Sequence, residues 1–505
     1  MTAAAAWSMS RARRLFSSKA DGWSQGINDT LRWEAWGVFS WRTESNLVQS
    51  RHMQEKSLPN QVKWHRTVQA LNQTLAMWSG DCKLEFENGD KCTAKANIEF
   101  RCTPNPHAWV KFETDEIAVS FEHLGNAKLV ANGLEVEQCT ICQFQKRLGE
   151  ASIFEGIFRG VSKWNNQPAP YEMRFQLLNF IKYIGDPVKY VSGGGYAGRL
   201  VLPDPEYQIV LDTIEDGDRE WFIQLNNSRG YATTHCGLLR RRDSSSLDIE
   251  SLNGIIPVLK YFASFVRGAW AEPCLLRLYG NEEDMLMEQM VSARVDPSTT
   301  GLSWVSQLHA HDIARFYSCF RSAWADRVRR ETIERAIPWY IESLKTMAAL
   351  ESPVILSQIV YELCAWVSLV ELEDILSESE YQKLPASGRL SVLLRIASID
   401  SGIPDSFAEL QRFAREYNLA NGPAVLAAIR NKFVHPTRKN MDAASKLGYS
   451  AMKEAGLLSI HYAELLILWI CGYTGKYFNR TLIHEQWALD AVKYVPWSNG
   501  GAEQS

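Results

Sequence analysis

The sequence predicts a multidomain α+β protein with an N-terminal antiparallel β-rich region, a central α+β region and a C-terminal all-α helical bundle. Three observations carry this expectation. Between about residues 80 and 135 apolar and polar residues alternate with the period of half-buried strands. From about Arg330 to 480 the apolar spacing is helical, with proline and glycine between the segments. A chain of 505 residues is also too long for one hydrophobic core of ordinary size.

Bulk composition sets limits on function. With 46% hydrophobic residues, 22% charged and a net charge of -4, the chain reads as soluble and globular, and any attraction to nucleic acid has to be local. Ten cysteines scattered from Cys82 to Cys471 form no disulfide framework, which points to a reducing, cytoplasmic setting. Leu465 to Cys471, the strongest apolar run, follows His461 and Glu464 and reads as a buried helix. No run is expected to span a membrane. Most of the 18 tryptophans are assigned to the core.

Residues 1–57 read as a partly disordered leader. Arg11, Arg13, Arg14 and Lys19 with no acid in the first twenty are compatible with an organelle transit peptide; a disordered bacterial leader fits equally well and is the reading preferred. In the β-rich region, 58–150, the alternating pairs are Leu84 and Phe86, Ile98 and Phe100, Val110 and Phe112, then Ile117, Val119 and Phe121. Asn88-Gly89 predicts a hairpin. The α+β region, 151–328, is assigned strands at Gln208–Leu211 and Trp221–Leu225 and helices at Ser251–Gly268 and His311–Ala325. Its Gly193-Gly194-Gly195-Tyr196-Ala197-Gly198 run lacks the Lys-Ser/Thr of a P-loop and reads as a hairpin loop. The helical domain, 329–480, has segments near 332–350, 353–376, 388–400, 405–418, 422–435 and 457–478, and 481–505 form a tail.

One helix carries candidate chemistry. Asn421-Gly422-Pro423 opens it and Pro436 closes it. Leu426, Ile429 and Phe433 form its core stripe; Asn431 and His435, four apart, share another face, with Arg430 at the edge between. A guanidinium, an amide and an imidazole at one helix end suit cleavage of RNA by its own 2′-hydroxyl. Imidazoles titrate near neutral pH and move protons, and a guanidinium stabilises charge developing on phosphate. No metal or cofactor is needed for this chemistry. Lys432, Arg438 and Lys439 add a local basic patch for an RNA backbone. The plain alternative is a capped surface helix. Arg229 and His235 have a related spacing, but Gly230 and a strand-and-loop setting set them aside.

Arg430-Asn431-Lys432-Phe433-Val434-His435 resembles the Arg-polar-x3-His signature of the HEPN superfamily, and its surroundings resemble the Apea-like branch. The helix Leu356–Leu369 around Glu362 is similar to that branch's first conserved helix. Gly472-Tyr473-Thr474-Gly475-Lys476-Tyr477 resembles its terminal Gly-Tyr-x-Gly-x-Tyr element, and Val495-Pro496-Trp497 its tail. The resemblance covers roughly residues 330 to 500. It implies a HEPN-like bundle, a homodimer with both protomers' Arg and His in one cleft, and metal-independent endoribonuclease activity. By position His435 acts in proton transfer, Arg430 in phosphate or transition-state binding and Asn431 in positioning, with Glu362 as a possible auxiliary or a buried structural carboxylate. A β-rich region ahead of such a bundle resembles toxin-like effectors of antiphage defence, whose N-terminal domains would sense a phage-derived or other trigger.

Two further readings stay open: a non-catalytic HEPN nucleotide- or protein-binding module, and a carbohydrate- or other ligand-binding β-rich region that dominates the biology. Among other constellations, Cys139 and Cys142 have the spacing of half a zinc site with no second pair, and His309, His311 and Asp312 begin a helix. Arg240-Arg241-Arg242 reads as a solvated charge run.

Overall fold

A computed structural model describes residues 58–498 apart from short internal segments, the longest of them 483–490. The leader reading of 1–57 lies outside the described residues, as do Ile117, Val119, Gly193 and His309. The α+β architecture is as the sequence predicts, antiparallel strands first and helices after.

The β-rich region is a closed barrel. Strands β1 (Leu75–Phe86), β2 (Lys91–Arg101), β3 (His107–Thr114), β4 (Gly125–Ala131), β5 (Leu134–Gln145) and β6 (Ser152–Lys163) pair in the order β3-β2-β1-β4-β5-β6, and β3 also pairs with β6. Closure removes the free edges that an open sheet must protect. Alternation does the rest. Leu84, Phe86, Ile98, Phe100, Val110 and Phe112 point inward and are at most 5% exposed. Gly89 takes φ +92° in the β1–β2 turn, a conformation glycine adopts without strain. Phe121 departs from expectation: it opens a single 3-10 turn, Phe121–His123, and is 81% exposed.

Strand β6 leaves the barrel. Ser152–Ile157 pair with β3, whereas Gly160–Lys163 pair with β13 (Met285–Met290). The sheet then runs on through β12 (Cys274–Tyr279), β7 (Glu172–Leu178), β11 (Thr233–Arg241), β10 (Tyr207–Thr213), β9 (Gly195–Pro203) and β8 (Asp186–Lys189). Of the glycine-rich run only Gly194 is seen in the β8–β9 connection, with Tyr190 N–H bonded to its carbonyl at 3.0 Å; Gly195, Tyr196, Ala197 and Gly198 are not loop but the start of strand β9, paired with β8. Trp221–Leu225 is not a strand. It belongs to helix α1 (Arg219–Asn227), in which Leu225 is buried while Ile223, two residues before it, is exposed, against the common face a strand would give them.

Met173, Phe175, Leu177, Ile209 and Leu211 pack on Ile255, Leu259 and Phe262 of α2 (Ile249–Arg267). The same core continues through α3 (Ala310–Ala325), α4 (Arg327–Leu344), α5 (Ser352–Trp366), α6 (Glu378–Lys383), α7 (Ala386–Ile396), α8 (Ala408–Glu416), α9 (Gly422–Val434) and α11 (Tyr449–Ile470), while α10 (Arg438–Ser445) buries no residue and lies outside it. Helices α6 and α10 were not expected from the sequence. Helix α11 ends earlier than 478, at Gly472 with φ +67°, where Tyr473 N–H bonds to Leu468 O. Lys476–Phe478 instead form strand β14, paired with β15 (Val492–Tyr494).

The expectation about membrane-length runs needs correcting. Ser352–Leu372, α5 continued by a π-helical turn, is long and apolar enough to cross a membrane, with Glu362 and Glu371 its only charges. Half of it is buried inside the protein. Leu465–Cys471 is a buried helix end, as read.

At the centre of the helices, Glu464 of α11 is fully buried. It accepts two hydrogen bonds of 2.7 Å from Arg480 and one of 2.5 Å from Tyr340 of α4. Removing one partner of such a pair strands a buried charge. Arg480→Ala is therefore expected to cost about 3–5 kcal/mol in denaturant unfolding, and Tyr340→Phe about 1–2 kcal/mol. Equal, small losses for both would contradict the ion pair's role.

Candidate active site

Helix α9 is built as its sequence suggests. Asn421 caps it, its side chain accepting from Ala424 N–H at 3.0 Å, and Pro423 occupies the first turn, where no amide hydrogen is needed. Val425, Leu426 and Ile429 are buried and Phe433 packs partly against the same core. The opposite face carries Asn431 and His435 out to the surface, with half-buried Arg430 at its edge.

The structure brings that trio to one helix end. Arg430 is half-buried, and its Nη1 donates to Asn431 Oδ1 at 3.1 Å; Asn431 and His435 are exposed. The backbone N–H of His435 closes the last turn onto Asn431 O at 3.2 Å. Among the described residues the imidazole makes no hydrogen bond or ion pair, so both ring nitrogens face solvent. Asn440 of α10 fixes the backbone here. Its Nδ2 donates to His435 O at 2.8 Å and to Asn431 O at 3.3 Å, adding a second bond to carbonyls that already accept from the Thr437 and His435 amides. The sequence reading missed Asn440; the signal is Thr437 three residues before it, the N-cap of α10.

The basic patch is smaller than predicted. Lys432 lies over the rings of Tyr417, at 4.3 Å, and Phe413, at 5.7 Å, and burial followed by the nearby Lys439 lowers its pKa. Arg438 stands 3.4 Å from Asp442 on its own helix. Lys439 is exposed and makes no hydrogen bond or ion pair among the described residues. Glu362 has structural company: it accepts from Arg389 at 2.8 Å, Tyr381 at 3.0 Å and Gln358 at 3.0 Å, tying α5 to α6 and α7. No hydrogen bond joins it to the trio.

The remaining motifs find structural roles. Cys139 is buried and Cys142 exposed on β5, so their thiols do not converge. Among the described residues no group of three or more His, Cys, Asp or Glu is placed to hold a metal ion. Arg240 pairs with Glu172, Arg241 donates to Ser251 Oγ at 2.6 Å, and Arg242 to Asp204 O at 2.7 Å. The Gly-Tyr-x-Gly-x-Tyr element and the tail pack together, Trp497 Nε1 donating to Tyr473 O at 2.7 Å.

His235, the decoy, is fully buried in β11, stacked on Tyr183 with Thr234 and Thr213 hydroxyls at 3.0 and 3.3 Å from its nitrogens. Burial lowers its pKa to about 3, and burial with Arg480 nearby does the same for His461. Unfolding returns each to the ordinary value of about 6.5, so the unfolded chain binds more protons below that pH. Their contribution is full above about pH 6.5 and is lost as pH falls toward 3. At pH 5 the loss is about 2 kcal/mol for each histidine. Denaturant unfolding of His235→Gln at pH 7 and pH 5 is expected to show a pH difference smaller than wild type by about that amount; an unchanged difference would refute the assignment.

Comparison with known proteins finds matches to the central sheet region and to the helical region, and neither of these family models reaches the barrel strands. Residues 166–301 match the family model described as the YopA central domain, and residues 326–492 match that of the YopA C-terminal domain, which contains α9. A curated relative, the SPbeta prophage-derived uncharacterized protein YopA of Bacillus subtilis (strain 168), is 28% identical over 328 residues, covering 64% of this chain and 72% of its own. No solved structure matches.

Proposed function

We propose that the protein is a metal-independent endoribonuclease effector, toxin-like and acting in antiphage defence, whose cutting site is Arg430, Asn431 and His435. The observation that carries this reading is the Arg430 guanidinium held beside Asn431 in the last turns of α9, one turn before the exposed His435, whose imidazole is uncommitted among the described residues. His435 moves the proton of the 2′-hydroxyl or of the leaving oxygen. Arg430 meets the charge on phosphate, and Asn431 orients it. Lys439 supplies the remaining local positive charge for RNA.

The resemblance to HEPN proteins adds a homodimer through the helical domain. Exposed apolar side chains flank the site: Val434 at 37%, Met441 at 53% and Tyr449 at 63% exposure. Such side chains favour a covering partner, and a second copy would set two Arg–His pairs face to face. The barrel and central sheet are assigned to sensing a trigger or recognising substrate. A second reading, a non-catalytic nucleotide- or protein-binding module, gains support from the engagement of Lys432 with Tyr417 and of Arg438 with Asp442.

RNA cleavage in EDTA by wild type, Arg430→Ala and His435→Ala discriminates the two. Loss of about a hundredfold or more in each variant, with unfolding midpoints unchanged, is the expected result for a general acid–base and an electrostatic group. Wild type inert toward RNA, or variants that match it, would replace the enzyme with the binding module.

A further inference from the structure

A cavity of about 410 Å³ opens on the far side of the central core, between α2, the β9–β10 turn and the junction of α3 with α4. Its volume is that of a small-molecule site. Its lining draws on both segments matched by the family models, with α2 and β10 on one side and Arg330 of α4 on the other. The floor is apolar: Ile255, Val258 and Trp324 are each at most 6% exposed.

One feature of α2 lacks any internal explanation. Gly254 sits in the middle of a 19-residue helix, where glycine costs about 1 kcal/mol relative to alanine. Its φ is not positive, and a Cβ placed there would meet nothing within 4 Å. Neither backbone conformation nor packing asks for glycine, yet its absent side chain leaves the cavity open.

Most charges around the cavity are already matched. Arg321 bonds to Glu206 at 2.8 Å and to Asp204 at 3.1 Å, Tyr317 donates to Asp204 at 2.7 Å, and Asp248 caps α2 through Ser251 N–H. Two are not. Arg330, half-buried, and Glu250 make no side-chain hydrogen bond or ion pair among the described residues. One unmatched cation, one unmatched carboxylate and an apolar floor in the same cavity define a complementary ligand.

We propose that this cavity binds a small zwitterion, an apolar α-amino acid or short peptide, with its ammonium at Glu250, its carboxylate at Arg330 and its side chain on Ile255, Val258 and Trp324. The site is independent of α9 and of the nuclease reading. Gly254 admits the ligand backbone against the helix, and the bound ligand bridges the central and C-terminal segments.

Isothermal titration of the full chain with L-leucine, L-phenylalanine and dileucine tests this, with N-acetyl-leucine and leucinamide as partners lacking one charge each. The free amino acids and the dipeptide distinguish the two sources. At least one zwitterion is expected to bind, and the blocked forms at least about tenfold more weakly, the loss of one charge-assisted hydrogen bond. Gly254→Leu is expected to abolish binding while holding or raising the unfolding midpoint, since it removes a helix glycine at a position where a Cβ meets no atom within 4 Å. Arg330→Gln is expected to erase the preference for leucine over leucinamide. No binding by any zwitterion at millimolar concentration, equal binding of the blocked forms, or full binding by Gly254→Leu would each overturn the proposal.

Discussion

The helical half of this protein is organised by one buried charge. Glu464 lies on α11, whose flanks pack against α4 and α5, and a carboxylate there is tolerable only because Arg480 meets both of its oxygens and Tyr340 adds a third bond. Burial opposes charge on Arg480, yet Glu464 raises its pKa above the usual value. Burial and the same carboxylate hold Tyr340 protonated. The pair therefore specifies more than it stabilises. It fixes where the chain goes after α11, bringing Arg480 back onto the helix and setting β14 where β15 and Trp497 can close over Tyr473.

From that anchor the candidate site follows by packing. Tyr361 of α5 donates to Ser459 O of α11 at 2.6 Å, and Val425, Leu426 and Ile429 seat α9 in the same core. With its apolar stripe committed inward, α9 has no choice about what it presents outward. Gly422 makes the approach to α11 close: a Cβ there would lie 2.6 Å from Tyr462 Oη. Asn440 then holds the carbonyls of the last turn. The trio thus stands on a rigid element whose position is set from the opposite side, the arrangement that a site needs if its groups are to be preorganised.

What the sequence disclosed depended on whether the deciding interaction was local. The alternation of Leu84, Ile98 and Val110 and the stops around α9 are local signals, and the strands and the helix they predict are present. Barrel closure was not legible, because the β3–β6 pairing joins residues such as Trp109 and Ile157, which carry no mark of being neighbours. Trp221–Leu225 misled because a short apolar run fits either period. The trio was legible as a motif, whereas the fate of Lys432 was not: Tyr417 and Phe413 come from the preceding helix and its end, and only tertiary structure sets them under the ammonium. Glu362 was likewise open between two roles until Arg389 and Tyr381 were seen around it.

The central claim is that Arg430 and His435 act on RNA through its 2′-hydroxyl. The ends of the RNA fragments test it most directly. With wild-type protein in EDTA, mass spectrometry of the products is predicted to find 2′,3′-cyclic phosphate on one side of each cut and a free 5′-hydroxyl on the other. Fragments bearing 5′-phosphate and 3′-hydroxyl, or cleavage that persists unchanged in His435→Ala, would contradict it.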